Sequence, residues 1–172
     1  MLPEPLIAIA AALLDLCRAN QLRLATAESC TGGLIAALLT ETAGSSDVFE
    51  RGFVTYSNAA KAELLGVPAA VIEAHGAVSE LVARAMAEGA LSSSAADLAV
   101  AVTGVAGPGG GSAAKPVGLV HLAVAVHEGA TTHRRHEFGD IGRAAVREAT
   151  AQAAMEMLKT AAIAAKRPTQ SS

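Results

Sequence analysis

The chain is poor in the residues that mark secreted domains and membrane proteins. Its 172 residues include no tryptophan, one tyrosine, three phenylalanines and two cysteines. Two cysteines without a CxxC pair form neither a disulfide framework nor a zinc motif, so we predict that Cys17 and Cys30 are free thiols of a cytoplasmic protein. The start of the chain lacks the basic segment of a signal peptide, and the apolar residues 6–16 are too few to cross a bilayer. No membrane partner is expected.

Positive charge is also scarce. The chain has 13 lysines and arginines against 16 aspartates and glutamates, and its formal net charge is −3. A protein that binds the phosphate backbone of DNA or RNA needs a basic face. We therefore do not expect nucleic acid as a partner.

Small apolar residues are abundant, and they alternate between helical and extended patterns. Hydrophobic residues make up 52% of the chain, mostly alanine, leucine and valine. Their spacing predicts helices at about 6–20, 31–42, 58–65, 79–92 and 142–164, and a further helix with Pro68 as its first residue. It also predicts strands at 22–27, 52–56 and 98–103, and a hairpin of 117–126 with 131–138. Interleaved strands and helices predict the α/β class, as a single three-layer α/β/α domain with a mixed sheet over residues 1–165. Residues 166–172 are predicted to be a frayed tail.

A strand-to-helix junction at residues 27–33 (AESCTGG) carries a hydroxyl, a thiol and two glycines. Backbone N–H groups at such a junction can hold an anion or an oxyanion. Ser29 is either a helix cap or a nucleophile, and Thr31 is the better candidate for the cap. Cys30 is a rival nucleophile, but neighbours in an extended stretch point to opposite sides, so only one of the two faces a pocket. We favour Ser29, because no histidine has an obvious place beside Cys30.

The segment 56–61 (YSNAAK) brings a phenol and an amine close together in the chain. We predict that Asn58 caps the following helix, which puts Lys61 in the positive field of a helix start and lowers its pKa. A serine activated by a lysine, with a tyrosine as helper, is a known alternative to the Ser-His-Asp triad. The alternatives are a solvated Lys61 and a Tyr56 that packs in the core with its hydroxyl at the rim.

Two further features are consistent with anion binding. The glycine-rich residues 104–112 follow a predicted buried strand, and they form either a backbone nest for an anion or a mobile lid. Because a strand follows them, they are not a dinucleotide-binding fingerprint. Arg143 and Arg147 lie four residues apart, as a solvated charge pair with acids such as Glu148 or as a phosphate clamp.

The histidines of the predicted hairpin do not form a metal motif. They lack the spacing of known metal-binding sequences, and we predict that they lie at the sheet edge or on the surface; they are His121, His127, His133 and His136. No metal-ligating residue and no cofactor are expected.

Further motifs follow the junction in order. They are GSS at 44–46, GFVTYSN at 52–58, Lys61, HGAVS at 75–79, TGVAGP at 103–108 and KPVG at 115–118. Over about residues 6–160 this pattern resembles the CinA C-terminal domain family, in its stand-alone form. Members of that family act as nicotinamide-nucleotide amidohydrolases, which convert nicotinamide mononucleotide to nicotinate mononucleotide and ammonia.

The resemblance implies roles at the matching positions. Ser29 would be the nucleophile, Lys61 its base and Tyr56 an assisting hydroxyl, with the N–H groups of residues 30–33 stabilising the oxyanion. The implied substrate-binding residues are Cys30, Thr31, Gly32, Gly33, Ser45, Ser46, Asn58, Thr103, Gly104, Gly107 and Arg143. The expected partners are a nucleotide substrate and further copies of the chain in a homo-oligomer. The alternatives are a non-catalytic nucleotide-binding or interaction module and an amidase for another small amide.

Overall fold

The computed structural model describes residues 1–165, and the tail predicted at 166–172 lies outside the described residues. The helices are α1 (Glu4–Ala19), α2 (Leu34–Thr40), α3 (Asn58–Leu65), α4 (Ala69–His75), α5 (Glu80–Ser92) and α6 (Arg143–Ala164). The strands are β1 (Leu24–Glu28), β2 (Phe49–Val54), β3 (Leu98–Gly104), β4 (Leu119–Val126) and β5 (Thr132–Glu137). Within residues 1–165 no helix is both long and apolar enough to span a bilayer.

The five strands form one mixed sheet, as predicted. Their order is β2-β1-β3-β4-β5, with β1 parallel to both β2 and β3, and antiparallel pairing of β3 with β4 and of β4 with β5. Because β1, β2 and β3 are parallel, their carboxyl ends meet at one side of the sheet, here called the carboxyl edge. Ligands of open α/β sheets commonly bind at such an edge.

The two faces of the sheet differ in side-chain size, because successive residues of a strand point to opposite faces. In β3, Leu98, Val100 and Val102 pack in the cluster that includes α1, α2 and α6, whereas Ala99 and Ala101 pack in the cluster that includes α3, α4 and α5. The predicted three-layer arrangement is thereby confirmed. The alanine side chains leave room for α5 to lie close to the sheet.

A glycine brings α3 close to α5. A methyl group added to Gly89 of α5 would lie 1.9 Å from the carbonyl oxygen of Leu65, the last residue of α3. Only a residue without a side chain fits this approach. Since Leu65 lies one turn after Lys61, the same contact determines where Lys61 lies.

Three predicted helix starts were wrong. Ser57, not Asn58, caps α3, because its side chain accepts a hydrogen bond of 3.0 Å from the N–H of Ala60. Pro68 precedes α4 as its cap rather than forming its first residue. Helix α2 begins at Leu34 rather than at 31, because Gly32 and Gly33 adopt φ angles of +57° and +100° and turn the chain first.

Candidate active site

Ser29 follows β1 at the carboxyl edge and is held between the two neighbouring strands. Its N–H donates to the carbonyl of Val102 at 3.1 Å, and the N–H of Thr55 donates to the carbonyl of Glu28 at 2.9 Å. These bonds continue the sheet ladder one residue beyond β1 on both sides. The backbone at Ser29 therefore has little freedom to move.

Ser29 and Cys30 face opposite layers of the domain. The Ser29 hydroxyl contacts Lys61 of α3, whereas Cys30 is buried in the cluster that includes α1, α2 and α6. Burial raises the pKa of the Cys30 thiol to about 12. A thiol with that pKa is protonated at neutral pH and is a poor nucleophile.

Lys61 reaches the Ser29 hydroxyl from α3. Only 1% of its surface is exposed. Its amine donates to Ser29 Oγ at 3.0 Å and to the backbone carbonyls of Thr55 at 2.8 Å and Tyr56 at 3.3 Å. Burial lowers the pKa of Lys61 below its usual value of 10.5, and within residues 1–165 it forms no ion pair with a carboxylate.

These three contacts suit a neutral amine as well as an ammonium ion. A neutral amine has two N–H donors and one lone pair. With both donors on the carbonyls of Thr55 and Tyr56, the lone pair of Lys61 faces the hydroxyl of Ser29. The carbonyls thus orient the lone pair toward the proton that a base would remove. The electrostatic field of the helix start lowers the pKa of Lys61 less than predicted. Lys61 is the fourth residue after the Ser57 cap, and its own N–H bonds to the Ser57 carbonyl.

The N–H groups of residues 30–33 are not equally free to bind an oxyanion. The N–H of Gly33 donates to the Glu28 carboxylate at 3.1 Å, and that of Gly32 donates to the carbonyl of Ser29 at 3.0 Å. Within residues 1–165, the N–H groups of Cys30 and Thr31 form no hydrogen bond to another residue. The prediction that all four could stabilise an oxyanion was therefore wrong for the two glycines.

Neither Ser29 nor Thr31 caps α2. The Thr31 hydroxyl donates to the Glu28 carboxylate at 2.6 Å, and this carboxylate bonds to the N–H groups at the start of the helix. The prediction of Thr31 as the cap was wrong, because a buried acid from the preceding strand takes that place. Glu28 was not predicted as a functional residue, although it lies within the 27–33 junction.

Tyr56 and Arg143 form a pair beside this centre. The tyrosine side chain is 58% exposed, and its hydroxyl accepts a hydrogen bond of 2.8 Å from Arg143, which also donates to the carbonyl of Gly107 at 2.8 Å. The Tyr56 hydroxyl therefore points to Arg143, and in the described chain it forms no hydrogen bond with Ser29 or Lys61. Arg147 donates to the carbonyl of Thr31 at 2.8 Å. Within residues 1–165 neither arginine forms the charge pair with Glu148 that was one of the two alternatives.

Thr103, Gly104 and Asn58 also lie at the carboxyl edge. The Thr103 hydroxyl donates to the carbonyl of Ala77 at 2.8 Å and thereby holds the segment before α5 over the end of β3. A methyl group on Gly104 would lie 2.8 Å from the carbonyl oxygen of Leu119, so packing against β4 accounts for this glycine. Asn58 is exposed at the start of α3.

Ser45 and Ser46 lie far from Ser29. They belong to a short 3₁₀ helix before β2, at the opposite end of the strands from Ser29. The neighbouring Asp47 pairs with Arg18 at 2.7 Å near the end of α1. Five residues of β1 separate the two edges by about 16 Å. Within one chain, the prediction that these serines join Ser29 in one site was wrong.

The predicted edge or surface position of the hairpin histidines was wrong for His121, which lies in the inner strand β4. It is 8% exposed, and its Nδ1 lies 2.9 Å from Nε2 of His133. Burial lowers the pKa of His121 to about 4, so the ring is neutral at pH 7. His121 lies opposite Thr103 of β3, on the face of β4 that α5 covers. This cover by α5 explains why His121 is buried.

Known proteins share this fold and much of this sequence. A family model described as the CinA C-terminal domain matches residues 6–162. The competence/damage inducible protein CihA from Agrobacterium tumefaciens is 52% identical, with a TM-score of 0.91 over 95% of this chain and 98% of that one. A competence-damaged protein (CinA) superfamily protein from Klebsiella pneumoniae is 34% identical, with a TM-score of 0.87 over 92% of this chain and 98% of that one.

Curated relatives are longer than the matched region. A CinA-like protein from Mycolicibacterium vanbaalenii is 56% identical over 138 residues, which cover 80% of this chain and 32% of that protein. The chain spans about a third of the length of the curated relatives it matches. The family match covers nearly all described residues, including Ser29, Tyr56, Lys61 and Arg143. The chain therefore belongs to the CinA C-terminal domain family.

Proposed function

We propose that the chain is an amidohydrolase that converts nicotinamide mononucleotide to nicotinate mononucleotide and ammonia, with Ser29 as nucleophile and Lys61 as base. The observation that carries the proposal is the 3.0 Å hydrogen bond between Ser29 Oγ and the buried amine of Lys61, whose pKa is lowered by burial. A binding module has no need of a desolvated lysine against a serine hydroxyl. The mononucleotide as substrate comes from the family resemblance.

In the first half of the reaction, the neutral amine of Lys61 takes the proton of Ser29, and the oxygen attacks the carboxamide carbon. The negative charge that develops on the carbonyl oxygen is stabilised by the free N–H groups of Cys30 and Thr31, each worth about 3 kcal/mol if well placed. Protonated Lys61 then donates its proton to the leaving nitrogen. Ammonia departs as the C–N bond breaks, and an ester forms on Ser29.

In the second half, water replaces ammonia. Neutral Lys61 takes a proton from water, the hydroxide attacks the ester, and the same two N–H groups stabilise the second oxyanion. Lys61 returns its proton to the Ser29 oxygen as the ester bond breaks. The products are nicotinate mononucleotide and the free enzyme. Tyr56, whose hydroxyl accepts a hydrogen bond from Arg143 beside this centre, is the assisting residue in this proposal.

The charge of the carboxyl edge supports an anionic substrate. Arg143 and Arg147 donate to backbone carbonyls near Ser29. Lys115 donates to the carbonyl of His75, close to the hydrogen bond between Thr103 and Ala77. Within residues 1–165 none of these three cations forms an ion pair with a carboxylate. Unpaired positive charge around a cleft attracts a phosphate group. Arg143, whose fork faces the exposed Tyr56 hydroxyl, is our candidate for the phosphate contact.

The direct test is ammonia release by the purified protein. We expect nicotinamide mononucleotide to give equal amounts of ammonia and nicotinate mononucleotide. The nucleoside without the phosphate should react with a kcat/KM at least about tenfold lower, because it loses a charge-assisted contact. Arg143→Gln should reduce this preference for the nucleotide.

The two alternative functions give different results in the same assay. Binding of the mononucleotide without ammonia release indicates a non-catalytic module. Ammonia release from another small amide, at a higher kcat/KM than from the mononucleotide, indicates an amidase with a different substrate.

The reaction should be independent of metal ions. Lys61 supplies the base and backbone N–H groups hold the oxyanion, so no step requires a Lewis acid. We expect activity to survive exhaustive dialysis against a chelator, measured as ammonia release before and after treatment. Loss of activity that one divalent ion restores would contradict the serine-lysine assignment.

A further inference from the structure

Glu28, the last residue of β1, is fully buried and accepts four hydrogen bonds. Its Oε2 accepts from the Thr31 hydroxyl at 2.6 Å and from the N–H groups of Gly33 at 3.1 Å and Ile35 at 3.0 Å. Its Oε1 accepts from the N–H of Ala36 at 2.8 Å. A buried carboxylate without such bonds would be strongly unfavourable.

These bonds use the donors that a helix start normally leaves free. The first N–H groups of α2 have no partner within the helix, and they carry partial positive charge. The Glu28 carboxylate satisfies them from outside the helix, and in the described chain it forms no ion pair with a lysine or arginine. The start of α2 is therefore closed to the substrate phosphate.

The same bonds close a loop around the nucleophile. Residues 29–32 lie between the backbone of Glu28 and the helix that its side chain holds, so the turn at Ser29 is fixed at both ends. On the other side, the Glu28 carbonyl accepts from the N–H of Thr55, whose own carbonyl accepts from the Lys61 amine. Glu28 thus links the turn of the nucleophile to the strand that orients the base.

We propose that Glu28 is a positioning residue that fixes the turn of Ser29 and keeps the N–H groups of Cys30 and Thr31 free for the oxyanion. It acts through Ser29 and does not touch the substrate. The inference rests on the proposed amidase function for its catalytic readout. Because the turn carries both the nucleophile and the oxyanion donors, its displacement lowers the rate of acylation more than it weakens substrate binding.

Glu28→Gln is the central variant. The amide keeps the size of the side chain but places an NH₂ group against backbone N–H donors, so at least one of the four bonds is lost. We expect kcat for the mononucleotide to fall about 100-fold, the effect of a displacement of about 1 Å, while KM changes by less than about threefold. The rate at which an organophosphonate probe labels Ser29 should fall in parallel.

A pair of variants at Thr31 separates positioning from folding. Thr31→Val removes one of the four bonds and should lower kcat about tenfold, whereas Thr31→Ser keeps the hydroxyl and should restore most of the rate. Leu13→Ala is the control for stability, because Leu13 is buried in α1 and away from the carboxyl edge. It should lower Tm without a change in kcat at a temperature where the protein is folded.

The outcomes are distinct. A folded Glu28→Gln protein with kcat within about threefold of the parent overturns the proposal. A loss of kcat in Leu13→Ala as large as that in Glu28→Gln, at a similar fall in Tm, overturns it as well. If Glu28→Gln does not fold, the Thr31 pair decides, and equal kcat for Thr31→Val and Thr31→Ser overturns it. If the parent protein does not deamidate the mononucleotide, the proposed function fails alone, and the rate of Ser29 labelling still tests Glu28.

Discussion

Ser29→Ala is expected to lower ammonia release from nicotinamide mononucleotide about 10⁴-fold or more while the fold is retained. The substitution removes the only atom that can form the ester, and it leaves the backbone N–H groups and Lys61 in place. The measurement is a continuous ammonia assay, with circular dichroism and Tm to show that the variant is folded. Intact-mass spectrometry after addition of an organophosphonate probe should show one adduct on the parent and none on the variant.

Cys30→Ala is the matched control. The thiol is buried on the opposite side of the chain, and burial raises its pKa to about 12, so its loss should leave most of the activity. Alanine keeps the N–H group that we propose stabilises the oxyanion. Full activity in Ser29→Ala with loss in Cys30→Ala would transfer the mechanism to a thiolate and remove the argument for Lys61 as base.

Lys61→Arg should lower kcat by about 10³-fold, within the range that a general base contributes. Arginine keeps the positive charge but does not give up its proton near neutral pH. The larger guanidinium must also fit a site where the amine is 1% exposed. Substantial activity in Lys61→Arg would mean that Lys61 binds the substrate as a charge and is not the base.

The pH profile gives an independent measure of Lys61. The neutral amine is the active form, so kcat/KM should rise with pH as Lys61 loses its proton and should level off above its pKa. Because burial lowers this pKa from 10.5, the rise should be centred below that value. Lys61→Arg should abolish the rise, and Cys30→Ala should keep it. A profile centred at or above 10.5 would contradict a desolvated base.

The layers of the fold were predictable because the chain is locally consistent. The short apolar run of β3 indicated a strand buried on both faces, and the hairpin of β4 and β5 followed from two extended runs around a glycine. The antiparallel hairpin next to parallel strands made the sheet mixed. The contact between Ser29 and Lys61 was predictable because a junction and a short motif each placed a polar side chain where strands end.

The partners of these groups were not predictable from spacing. Glu28 caps a helix that begins six residues later, and this requires the chain to reverse direction through two glycines with positive φ. Ser45 and Ser46 match a family motif, but a motif does not tell at which end of a strand its residues lie. The burial of His121 could not be predicted from its neighbours in the sequence, because the helix that covers it, α5, is distant in the chain.

Because α3 lies close to α5, the proposed catalytic activity depends on Gly89, which has no reactive group. Gly89 has no side chain, lies in the last turns of α5, and a methyl group added to it would meet the end of α3. Any larger residue there must push α3 outward, and the amine of Lys61 moves with it. In a random mutagenesis screen scored by ammonia release, position 89 should therefore appear among the inactivating sites, although it carries no catalytic group.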